Sequence, residues 1–166
     1  MAVGSPRGDF PHLLIGDMLI SDFCLIVNIK SAFELVGLTI FFVILGKKRK
    51  ETVCIALITE EEGAEDKHIL MNKVVRRNLR VRMGDIVSVH PCPNDVPNAT
   101  KIHVLPFSDS IEGITGNITQ TYLIPYFKDC YRPVKKGDTF IVRQGFRPIE
   151  FKIVDVDPPE YGIVSP

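Results

Sequence analysis

At 166 residues, with 20 basic side chains against 20 acidic ones and no net charge at pH 7, the chain has room for one ordinary domain or for two small lobes, each able to bury a core. The balance of charge excludes a molecule built as a whole to condense on a polyanion, so any electrostatic recognition has to be local. Cys24, Cys54, Cys92 and Cys130 form no CxxC pair and follow no export signal, which points to a reduced cytoplasmic or nuclear protein and leaves the sequons at Asn98 and Asn117 idle.

Residues 1–11, with prolines at Pro6 and Pro11 and glycines at Gly4 and Gly8, cannot bury enough apolar surface to order themselves and are expected to form a disordered tail. Residues 23–45 are apolar over a length close to the ~20 residues that span a bilayer. Asn28, Lys30 and Glu34 interrupt that run, and each central charge costs ~3 kcal/mol to insert. Buried strands with a short helical turn at residues 31–35 are therefore the preferred reading over a membrane helix.

From there on, apolar residues fall in short runs between turn formers, the pattern of many short strands. The clearest predicted strands are residues 52–58, Val81 together with 86–89, 102–105, 140–143, 149–156 and 163–164, with an acidic loop at 60–66 and a second loop around Pro97 and Asn98. Arg82-Met83-Gly84-Asp85 and Lys135-Lys136-Gly137-Asp138 echo one another, each leading into an apolar run. Glycine takes positive φ without penalty and aspartate bonds its own backbone, so both segments are predicted to turn the chain sharply into a strand. Many unrelated β proteins share that device, and by itself it suggests two β lobes only weakly.

Motifs for catalysis are missing: no GxxxxGK[ST] loop, GxSxG elbow or HExxH pair occurs. No catalytic residue is nominated and no ATP hydrolysis is expected. His12, His68, His90 and His103 are not spaced as ligands to each other or to a cysteine, so neither metal nor cofactor is expected. The basic stretch at 73–82, with Lys47, Lys48, Arg49 and Lys50, invites a nucleic-acid reading. The acids at 60–66 and the absence of aromatic residues from both basic runs count against it. Within that stretch Leu79, Val81 and Met83 alternate with Arg80 and Arg82. An extended strand would put both guanidiniums on one face, suited to a partner's carboxylates or simply solvated.

Six runs carry a resemblance over most of the chain: GKKRKETVCI (46–55), MNKVVRRNLRVRMGDIVSVHPCP (71–93), KIHVLPF (101–107), EGITGN (112–117), PYFKDCYRPVKKGDTFIVR (125–143) and FRPIEFKIVDVDPPEYGIVSP (146–166). Together and in this order they resemble the N-terminal domain of the valosin-containing-protein family of AAA ATPases, the ubiquitin-directed unfolding machines. The resemblance implies a mainly β chain in which a double-psi β-barrel lobe (residues 12–105, with 12–45 the most diverged part) precedes a smaller four-stranded β-barrel lobe (106–166). It implies a protein-binding module that recruits UBX-type domains, short linear motifs and the ubiquitin-fusion-degradation cofactor pair to the ATPase ring, here without the ATPase domains. An adaptor groove between the lobes would correspond to Ile55, Leu57 and Tyr131, with Asp95, Val96 and His103 close by; plain strand core is the competing reading of Ile55 and Leu57. Arg80, Arg82 and Arg143 match positions where the family's N-domain rests against its ring, which for this chain would be supplied in trans. Two departures stand out: Asn98 and Pro97 occupy a loop where the family carries a tyrosine, and Gly37 and Leu38 replace a groove phenylalanine and arginine. A basic β-barrel nucleic-acid binder and a small double-psi-barrel enzyme remain the alternatives from other classes. The first would show steeply salt-dependent binding and the second a pocket of perturbed titratable groups.

Overall fold

The computed structural model describes residues 12–17, 24–27, 40–47, 49–58, 68–92, 96–144 and 147–165. The expected tail, the helical turn at 31–35, the acidic loop and Asp95 lie outside the described residues. Within them the chain is mainly β, as expected.

The first lobe is built from β1 (His12–Asp17), β2 (Cys24–Val27), β3 (Ile40–Lys47), β4 (Lys50–Ile58), β5 (His68–Met71) and β6 (Ile86–Pro91). Hydrogen-bonded neighbours run β1-β5-β2-β4-β3-β6, and β6 pairs back onto β1 to complete the ring. Two of the pairs, β1 with β5 and β2 with β4, are parallel, and the others are antiparallel. The apolar run that could have passed for a membrane span contributes β2 and β3 to this ring, and no helix among the described residues is long and apolar enough to cross a membrane. Strand β4 buries Thr52, Val53 and Cys54 in succession, and Ala56 beyond them, the signature of a strand covered on both faces. Strands β5 and β6 alternate, burying Ile69 and Met71, and Val87 and Val89, as a sheet with one covered face requires.

Between β5 and β6 the chain departs from the extended reading of residues 79–83. Lys73–Leu79 is an α-helix, α1, capped by Asn72, whose side chain accepts a hydrogen bond from Val75 N–H at 2.9 Å. Val74, Val75 and Leu79 are its buried face, and Arg76 and Arg77 in the last turn suit the negative end of the helix dipole. The helix stops at Arg80, which is left-handed at φ 57 with its N–H turned back to the carbonyls of Arg76 and Arg77. Arg80 and Arg82 thus sit on a helix terminus and a turn, not on one strand face. Met83, expected on the apolar side, is 60% exposed.

The second lobe contains β7 (Lys101–Pro106), β8 (Arg132–Lys135), β9 (Thr139–Val142), β10 (Ile149–Asp157) and β11 (Tyr161–Val164). They form a three-stranded sheet β7-β10-β9 and a two-stranded sheet β11-β8. Strand β7, which the sequence reading placed with the first lobe, pairs with β10, and its Ile102 and Val104 pack on the second core. Short helices α2 (Ser108–Ile111) and α3 (Ile124–Phe127), the latter continuing a π-helical turn at Thr119–Leu123, cover this lobe. Its centre is aromatic: Phe140 lies between Tyr126 (centroids 5.2 Å, 14° between planes) and Phe151 (5.3 Å, 17°), and Phe127 meets it edge-on at 5.6 Å. Gly162 lets β11 approach the 96–100 segment, since a Cβ there would stand 3.0 Å from the Ala99 side chain.

Both Gly-Asp turns take the form read from the sequence. Gly84 and Gly137 have φ of 79° and 91°, and in each turn the aspartate N–H bonds back three residues, Asp85 to Arg82 and Asp138 to Lys135.

Candidate functional site

The two lobes meet where β4 packs against β8 and where α1 packs against β9. At the first contact the Thr52 hydroxyl of β4 donates to the Asp138 carboxylate from the second Gly-Asp turn, and Lys135 reaches Glu51 at 3.3 Å. Burial pushes the Asp138 carboxyl up to about 6, against the opposing pull of the Thr52 hydrogen bond and of the Lys135 and Lys50 charges. The twin turns therefore use their aspartates differently. Asp85 accepts from its own Arg82 N–H at 2.8 Å, whereas Asp138 reaches across to the other lobe.

The expected groove residues within the described segments come from both lobes. Ile55 is half-buried in β4, in register with Phe42 and Cys24. Leu57 lies two residues further along the same strand, in register with Ile40 and Ile26. Val96 is half-buried next to Pro97, whose carbonyl accepts from Ile163 N–H of β11 at 2.9 Å. Tyr131 is 64% exposed at the entrance to β8, the strand that meets β4. Its outward aim follows from its neighbour: Arg132 turns inward, donating from Nε to the Tyr126 carbonyl at 2.7 Å and covering the Tyr126 ring at 4.1 Å. Alternation along an extended chain then sends Tyr131 the other way.

His103 comes from β7 of the second lobe. It is exposed on β7 opposite Asp155 and borders a depression of about 560 Å³ on the second lobe, shared with Ile102, Leu105, Leu123, Ile124 and Phe127. Leu105 and Ile124 there are 60% and 53% exposed. Sequence reasoning passed over both. The available signal was Leu105 itself, an apolar residue at the same parity as Lys101 and His103 on a strand whose other residues are half-buried. The EGITGN turn with Thr121, Tyr122 and Arg147 frames a second hollow of about 500 Å³.

Arg80, Arg82 and Arg143 are all exposed. Other basic groups of the 73–82 stretch serve the fold: Arg76 donates to the Met71 carbonyl at 3.0 Å, and Arg77 pairs with Glu150 at 2.6 Å. A continuous cationic face for nucleic acid is correspondingly reduced. Among the described residues no three His, Cys, Asp or Glu side chains gather as a metal site. Among the described residues Cys54, Cys92 and Cys130 form no disulfide. Burial pushes the Cys92 thiol up to about 11, so it is not an activated nucleophile.

Two family models match the chain in tandem. Residues 19–95 match the N-terminal domain of cell division protein 48 (CDC48), and residues 113–166 match CDC48 domain 2. Both matched regions are N-terminal ones, and neither is an ATPase domain.

Proposed function

We propose, for a chain that belongs to the CDC48 N-terminal family, that it is a protein-binding module which recruits ubiquitin-pathway adaptors carrying UBX-type domains or short linear motifs to an AAA unfolding ATPase, in the cytoplasm or nucleus. The observation that carries this reading is the placement of exposed large apolar side chains. Tyr131 stands beside the lobe boundary, and Leu105 and Ile124 border an apolar depression, while both lobes keep closed cores of their own. An exposed aromatic with polar surroundings suits a partner surface, because the apolar part supplies burial and the rim sets register. Ile55, Leu57, Asp95, Val96, His103 and Tyr131 remain the proposed groove set, with Ile55, Leu57 and Tyr131 its wall, and Arg80, Arg82 and Arg143 the proposed ring contact. The lobes divide, on this proposal, between β6 and β7.

Calorimetric titration of a purified UBX-type domain into the chain tests the reading. Saturable one-to-one binding is the expected result. Absence of binding at concentrations of about 100 µM, weaker than the ~5–6 kcal/mol that corresponds to that range, would remove the adaptor assignment.

A further inference from the structure

Asn78 lies half-buried in the last turn of α1, where the helix meets the first residue of β9. Its carboxamide makes three hydrogen bonds to a single residue. Nδ2 donates to the Thr139 carbonyl at 2.9 Å, and Oδ1 accepts from the Thr139 N–H at 3.0 Å and from the Thr139 hydroxyl at 2.8 Å. Strand order β7-β10-β9 makes β9 an outer strand, and in antiparallel pairing every second residue of an outer strand turns its N–H and C=O away from its neighbour. Thr139 is such a residue. A primary amide carries the same donor and acceptor as a peptide unit, so the Asn78 side chain meets both groups as another strand would.

Arg77, the preceding residue, reinforces the contact from the same turn. Its guanidinium donates to the Thr139 hydroxyl at 2.8 Å and pairs with Glu150 of β10 at 2.6 Å. A contact to backbone on two sides constrains direction as well as distance. The exposed Lys135–Glu51 pair at 3.3 Å constrains little, because long solvated side chains hold no single geometry.

We propose that the Asn78 carboxamide acts as a surrogate strand on β9 and is the positioning residue that sets the angle between the two lobes. The other contact between the lobes, β4 against β8, then depends on a residue of α1. The inference stands independently of the adaptor reading, since it concerns the free chain.

Amide hydrogen exchange and residual dipolar couplings on the whole chain, wild type and Asn78→Leu, provide the test. In the wild type one alignment tensor should fit both lobes, and the Thr139 amide should be protected. In Asn78→Leu, Thr139 exchange should accelerate by at least about tenfold, equivalent to ~1.4 kcal/mol, as expected when a buried backbone hydrogen-bond partner is removed. The two lobes should then need separate tensors, while the Val89 and Phe151 amides keep their protection. A single shared tensor in Asn78→Leu overturns the proposal. So does a wild-type chain that already needs two tensors or leaves Thr139 unprotected, a result that holds even if the variant does not fold.

Discussion

Tyr131 projects into solvent because Arg132 is spent on Tyr126, and an aromatic held outward in this way contributes little to its own fold. Tyr131→Ala should leave thermal unfolding unchanged and weaken binding of a UBX-type domain by ~1–3 kcal/mol, the cost of losing a buried aromatic anchor; equal affinity of the two proteins would take Tyr131 out of the groove. Asp138 makes a prediction with a definite sign. Its folded value, about 6, lies above the ordinary carboxylate value of 3.8, so the neutral carboxyl is the form the fold favours. Its contribution is fully present below about pH 4 and is lost as pH rises through 6, at most about 3 kcal/mol. Denaturant titrations from pH 4 to 7 should show that loss in the wild type and not in Asp138→Asn; parallel pH profiles would contradict the assignment. Arg80, Arg82 and Arg143 are exposed, and each alanine variant should move stability by less than ~0.5 kcal/mol while weakening docking to a ring supplied in trans. A fall of many degrees in Tm for Arg82→Ala would mean that the residue serves the fold instead.

At the scale of elements, the Gly-Asp turns were legible because positive φ at Gly84 and Gly137 is a local demand that only a few residue types meet. The strands at 52–58, 102–105, 140–143 and 149–156 were legible from their apolar runs between turn formers. Helix α1 was not, since Leu79, Val81 and Met83 happen to alternate with arginines. The stronger signal was Asn72 as a cap ahead of Val74, Val75 and Leu79, a helical spacing that outweighs a three-residue alternation. Strand β7 was read correctly as a strand, whereas its pairing with β10 is a long-range fact that no local pattern carries. Family likeness nominated His103 together with Tyr131, and no local pattern pointed to the depression that His103 borders beside Leu105 and Ile124. The stacked rings of Tyr126, Phe140 and Phe151 give this scale its own test: Phe140 is fully buried, and Phe140→Ala should cost ~3–5 kcal/mol in chemical denaturation. A cost under ~1 kcal/mol would mean that the aromatic stack does not hold the second lobe together.

The whole molecule joins two lobes through polar contacts at Thr52–Asp138, Glu51–Lys135 and Asn78–Thr139, and each lobe closes a core of its own. With no phosphate-binding loop in its sequence, the chain should show neither ATP turnover nor nucleotide binding in calorimetry, and micromolar nucleotide affinity would contradict the account. What the account claims above all is that a partner protein is gripped at the lobe boundary. Amide chemical-shift mapping of the isotope-labelled chain during titration with a UBX-type domain tests that claim most directly. The account predicts saturable shifts concentrated at Ile55, Val96 and Tyr131, with Val142 and Ile149 in the second core unmoved. Shifts that fail to appear, or that gather around Arg80, Arg82 and Arg143 and leave Tyr131 untouched, would contradict it.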